Sequence, residues 1–176
     1  MVAKWRTPLL LFVLALHALP ALSADGTVTV NGEVLPQTCT VNGGVPSFGV
    51  TLPTLSTSAL NGVGRTAGAT RFSIAMTDCV GPATTVNAYF ESGPTINAAG
   101  RLINQAPGGA SVDGQLQNAD GSVVNLAGSQ GSQNTTPTLI VGQSATQNYL
   151  IAYFSNAAIA TAGAFSTSVI YTLAYN

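Results

Sequence analysis

From Phe165 to the last residue, Asn176, the chain alternates. Phe165, Thr167, Val169, Tyr171, Leu173 and Tyr175 fall on one side, with smaller or polar residues between most of them. A period of two is the signature of a β-strand, because successive side chains point to opposite faces of a pleated sheet. Such a strand is stable only where its apolar side meets a second layer. The same pattern recurs upstream. Val28, Val30 and Val34 alternate in the segment from Gly26, and Thr38 to Val41 extends that reading around Cys39. Phe72, Ile74 and Met76 share one face of a strand over 71–80, and strands are also expected over 85–91 and 147–154. Gln115–Gln117 and Val123–Leu126 flank Asn118-Ala119-Asp120-Gly121-Ser122, where Asp-Gly marks a hairpin. Helix-period apolar patterns are scarce. The stretches 42–69, 92–110 and 127–144 are rich in Gly, Ser, Thr and Asn and read as loops and short edge pieces. Apolar residues scattered through them, among them Leu52, Leu55 and Ile140, indicate that they pack. Many short strands with turns between them specify an antiparallel β-sandwich.

The first residues have a different character. Lys4 and Arg6 precede an apolar run from Pro8 to Leu19 broken only by His17, and Ala21, Ser23 and Ala24 follow. Positive start, apolar middle and small-residue end make a secretory signal peptide. The run is too short for a spanning helix, which needs roughly 20 residues. Cleavage after Ser23 makes residues 1–23 the signal and Ala24 the mature start. The mature chain then has no His, Lys or Trp. Its cations are Arg65, Arg71 and Arg101, against six acids, a formal charge of −3. So few cations exclude a phosphate-backbone ligand, so no nucleic acid is expected as a partner. An exported chain with two cysteines, Cys39 and Cys79, suggests one disulfide. Two thiols without His cannot complete a metal site, and neither a metal nor a cofactor is expected. Without His or Lys, and with its thiols paired, the chain offers no activated nucleophile, and it is expected not to be an enzyme. Asp78 and Glu91 are the one carboxylate pair that adjacent strands could bring together for glycosidase-like chemistry, although solvated surface carboxylates are the plainer reading.

Four features in order along the chain resemble the pilins of chaperone–usher pili, of the type 1 and P pilus kind. The mature start, Ala24-Asp25-Gly26-Thr27-Val28-Thr29-Val30-Asn31-Gly32-Glu33-Val34 and on to Cys39, is similar to the family's opening pattern, with Val30 where an aromatic is usual. The 40-residue step from Cys39 to Cys79 matches the family's disulfide between its first two strands. Leu116 to Gly121 resembles a family hairpin. Gly163 stands fourteenth from the end, before alternating apolars and a penultimate Tyr175.

The resemblance implies an all-β, incomplete immunoglobulin-like sandwich of six strands, missing a seventh, with an N-terminal donor-strand extension. It implies a donor extension over 24–34 running into the first strand, and a pilin domain over 35–176. It also implies a structural subunit that polymerises by donor-strand exchange and supports adhesion. In that scheme Gly26, Val28 and Val30 form the donor row. Gly163, Phe165, Val169, Tyr171, Leu173, Tyr175 and Asn176 belong to the acceptor groove and chaperone-binding strand. Its partners are neighbouring pilin subunits, a periplasmic chaperone and an outer-membrane usher, with a host receptor left open. The route runs through the periplasm to a pilus at the cell surface. The competing reading is a secreted monomeric carbohydrate-binding sandwich, which would be complete without a donated strand.

Overall fold

The computed structural model describes residues 28–32 and 38–176. Residues 1–27, which contain the expected signal peptide and Gly26, and residues 33–37 lie outside them. The chain divides into two units, 1–33 and 34–176. Of the first, residues 28–32 have no regular secondary structure, and Val28 and Val30 are 88% and 87% exposed.

The second unit is the expected two-layer all-β fold. In chain order its strands are β1 (Thr38–Val41), β2 (Thr66–Val80), β3 (Thr85–Phe90), β4 (Leu102–Ile103), β5 (Val112–Asn118), β6 (Thr138–Leu139), β7 (Ala145–Ser155) and β8 (Tyr171–Tyr175). Six have four residues or more; β4 and β6 are two-residue edge pieces. One sheet runs β1-β2-β7-β5-β4 and the other β6-β3-β8. Every described pairing is antiparallel.

Between the sheets lie Ile74, Phe90, Leu116, Tyr149 and Ile151, all buried. Tyr149 stacks on Phe72 at 5.6 Å between centroids and meets Phe90 edge-on at 5.3 Å, geometries that suit the charge distribution of aromatic rings. A polar joint sits among these apolar groups. Gln133, 1% exposed, receives the Phe90 N–H at 2.9 Å and donates to the carbonyls of Phe90, Leu126 and Gly128. Every polar atom of that buried amide is engaged, which is the condition for its burial.

The inward face of β2 is not strictly periodic. Ile74 and Met76 point in, and so does Cys79, one residue out of step. The cause is a bulge: Thr38 pairs with Val80 but Thr40 with Thr77, so Asp78 and Cys79 face one residue of β1. Asp78 has a φ of 53° there, a left-handed conformation that Asp tolerates better than most residues. The extra residue turns Cys79 towards Cys39, and the two are joined by a disulfide. That bond closes a loop over a 40-residue separation, worth roughly 4 kcal/mol in the chain-entropy account. Replacing both cysteines by Ser should therefore lower unfolding free energy by about that amount. Urea denaturation of the purified body would read the loss.

At the 118–122 turn, Asp120 accepts from the Ser122 N–H at 2.9 Å and from its hydroxyl at 2.7 Å. Those donors, the hydroxyl first, hold the Asp120 carboxyl below its ordinary range. Gly121 takes a φ of 87°, where a Cβ would be strained. The expected hairpin is present, closed by a bridge between Gln117 and Val123.

Candidate groove between two unpaired edges

β8 pairs with β3 from Phe90–Tyr171 to Val86–Tyr175 and ends the smaller sheet, so its other edge meets no strand among the described residues. The sequence predicts one strand over 165–176, but the ladder covers only Tyr171–Tyr175. β3 stops at Phe90, and its last backbone contact with this segment is Glu91 N–H to the Ile170 carbonyl, 2.8 Å. Residues 165–170 continue as a lip outside the ladder, held at Ser166, whose N–H donates to the Asn104 side chain at 3.0 Å and whose carbonyl accepts from the Gln105 N–H at 2.7 Å. On the larger sheet β1 ends at Val41, and residues 46–52 run on without a ladder.

A groove of about 960 Å³ opens between these two lips. One wall carries Phe48, Val50 and Leu52; the other carries Phe165, Val169 and Tyr171. Its floor is the core itself, with Phe72, Ile74, Phe90, Leu116 and Ile151 reaching it from both sheets. Phe48 leans on Phe72 at 6.0 Å and Phe165 meets Tyr153 edge-on at 5.3 Å. An apolar cleft rimmed by unpaired backbone is the exposed feature that folded proteins ordinarily cover.

One side chain crosses the opening. The Tyr171 hydroxyl donates to the Pro46 carbonyl at 2.7 Å, from one lip to the other. Burial pushes its phenol pKa up. Nearer the disulfide, burial also raises Tyr175, while a backbone hydrogen bond at Cys39 pulls the other way. On the groove wall, the Thr167 hydroxyl is buried with no hydrogen-bond partner. A buried hydroxyl left unmatched costs on the order of 1–3 kcal/mol, so this wall is polar-deficient as it stands.

Phe165, Val169, Tyr171 and Leu173 thus line the groove. Gly163 lies elsewhere, in an adjoining cavity of about 390 Å³. A Cβ on it would come within 2.5 Å of the Ala110 nitrogen and 2.6 Å of the Gly109 carbonyl carbon, so this residue lets two backbones touch. Tyr175 packs with the Met76–Cys79 cluster. The Asn176 carbonyl oxygen accepts from the N–H groups of Thr84 and Thr85 at 2.9 and 3.0 Å, outside the groove. Asp78 and Glu91 are not a pair. Asp78 is in β2 of one sheet, whereas Glu91 follows β3 of the other and accepts from the Thr172 hydroxyl at 2.6 Å. The wall over 46–52 falls in a stretch whose composition reads as loop; Leu52 marks it as packed, and the alternation of Phe48, Val50 and Leu52 is the signal that could have found it.

Residues 52–176 match the family model described as FimA, Type-1 fimbrial protein, A. The chain is 41% identical to the major fimbrial subunit SMF-1 of Stenotrophomonas maltophilia, over 93% of this chain and all of that one. It is 38% identical to the F17 fimbrial protein of Escherichia coli, over 93% of this chain and 97% of that one. Among solved structures, the P pilus rod subunit PapA is similar in fold, with a TM-score of 0.61 and 22% identity, over 78% of this chain and 99% of that one.

Proposed function

Since this chain belongs to the type 1 fimbrial protein family and is a structural subunit of a surface pilus, we propose that its groove is filled by a strand from the neighbouring subunit. Its own residues 24–34, in turn, fill the groove of the next. The single observation that carries this reading is the 960 Å³ cleft whose floor is core and whose rims are unladdered backbone. An added strand repairs both faults, because its amides complete the ladders and its alternate side chains fill the pockets. Val28 and Val30 are apolar, two residues apart and almost wholly exposed. Each stands to gain roughly 1.5–3 kcal/mol on burial. Since every subunit both gives and receives, the contact is head-to-tail and builds a fibre.

The same cleft leaves an unpolymerised subunit in need of cover. We assign that role to a periplasmic chaperone that lends a strand, followed by delivery through an outer-membrane usher. The signal peptide over 1–23 fits this route. A pilin domain over 35–176 has no catalytic task in this scheme, and adhesion to a host receptor would be a property of the fibre surface. A complete carbohydrate-binding sandwich would have no such cleft to fill. The test is the fibre itself. Purified filaments run without boiling in detergent should give a ladder of oligomers that collapses to one band only on prolonged heating. A single band in the cold would refute exchange of strands.

A further inference from the structure

We propose that the two ends of β2 form a second, apolar and charge-matched contact between successive subunits, which sets the stiffness of the fibre. The inference rests on the polymer reading above.

At the Val80 end, three exposed apolar residues gather. Val80 is 49% exposed, Leu139 66% and Val141 71%. They belong to one neighbourhood: Cys79 N–H donates to Gln143, Ile140 N–H to Thr84, and Val141 bridges Ser144. Asp78, exposed on the bulge, supplies the charge. At the Thr66 end lie Val63, 71% exposed, and Ile159, 73% exposed. Gly62 and Gly64 tie their stretch to Ala158 and Ser155 at 2.9 and 2.8 Å. Here the charge is Arg65, also exposed. With so few charged residues in the mature chain, an anion at one end and a cation at the other is a pattern of complementarity, which sets register and orientation.

Strand direction brings these two ends together. Every described pairing is antiparallel, so a strand added beside β8 is expected to run opposite to Phe165→Tyr175. It would leave the groove at the Phe165 end, where Tyr153 sits, close to the Thr66 end of β2 through the Ala67–Tyr153 pair. The donor's own body begins at Thr38, opposite Val80. From Val30 to Thr38 is eight residues, a reach of at most about 27 Å, against about 46 Å for β2. The Val80 end of one subunit is therefore held against the Thr66 end of the next.

The test is a charge exchange on assembled fibres. Arg65→Glu and Asp78→Arg should each lower the persistence length seen by electron microscopy about threefold, and the two together should restore it. Single variants as stiff as the unsubstituted fibre, or a double variant no stiffer than either, would overturn the contact. Val63→Cys with Val141→Cys gives an independent reading. On mild oxidation these fibres should become covalent ladders that survive boiling until reduced, and neither single variant should. Assembled double-cysteine fibres without such ladders would also overturn it. Unsubstituted chains that form no fibre at all would instead remove the polymer reading, and this proposal with it.

Discussion

A subunit carrying Val30→Asp should fold, accumulate with its chaperone and fail to lengthen a fibre. The side chain is 87% exposed in the described structure, so the substitution removes little from the folded body. In the proposed exchange the same position would meet a neighbour's groove floor, which Ile74, Phe90 and Leu116 line. There the valine's contribution of roughly 1.5–3 kcal/mol is lost, and an unpaired carboxylate adds a desolvation cost of several kcal/mol. A total near 5 kcal/mol corresponds to a loss of about 10³–10⁴ in association. Val30→Ile, which keeps apolar volume, should assemble normally. Counting filaments on cells while measuring chaperone-bound subunit separates assembly from folding. Normal filaments from Val30→Asp would remove residues 24–34 from the donor role.

Deleting Tyr171–Asn176 should have the opposite signature: no stable subunit at all. The deletion strips β8 from β3, five paired residues from Val86–Tyr175 to Phe90–Tyr171. It exposes Val86, Ala88 and Phe90, each now at most 2% exposed. It also removes Tyr171, Leu173 and Tyr175, which pack on the two core clusters. Three half-buried apolar side chains, at roughly 1–2 kcal/mol each, together with newly wetted core on β3, approach the whole of a typical domain stability of about 5–15 kcal/mol. The groove loses one wall in the same step. Pulse-labelling of the exported chain should show degradation within minutes. A truncated chain as long-lived as the parent would show that β8 is dispensable to the fold.

How far the sequence alone reaches can be judged strand by strand. Phe72, Ile74 and Met76 are legible as one face because the pleat alternates, whereas the strand ending in Ser155 is legible only as a strand, since Tyr149 to Phe154 is an unbroken apolar run that marks no inward side. Cys79 defeats that arithmetic. The bulge at Asp78 adds a residue, and period-two reasoning assumes a uniform pleat. The C-terminal alternation identifies which side chains face inward, yet not which backbone groups find partners. Side chains report faces, whereas ladders depend on where the neighbouring strand stops, here at Phe90. The groove was legible on one side only. Phe165, Val169, Tyr171 and Leu173 were expected and line it. The facing wall was hidden in a stretch whose Gly, Ser and Thr content reads as loop, although Phe48, Val50 and Leu52 keep the strand period. Gln133 left no trace at all. A single amide in a polar stretch is indistinguishable from its neighbours until the fold surrounds it.

That glutamine bears on why the groove keeps its shape. Its amide fastens both polar groups of Phe90 and two further carbonyls. For the small layer to slide inwards and heal the gap, all of these would have to part company in a dry interior, where each orphaned group is expensive. In the proposed exchange a groove braced in this way is shaped before the donated strand arrives, and little conformational entropy need be surrendered on its arrival.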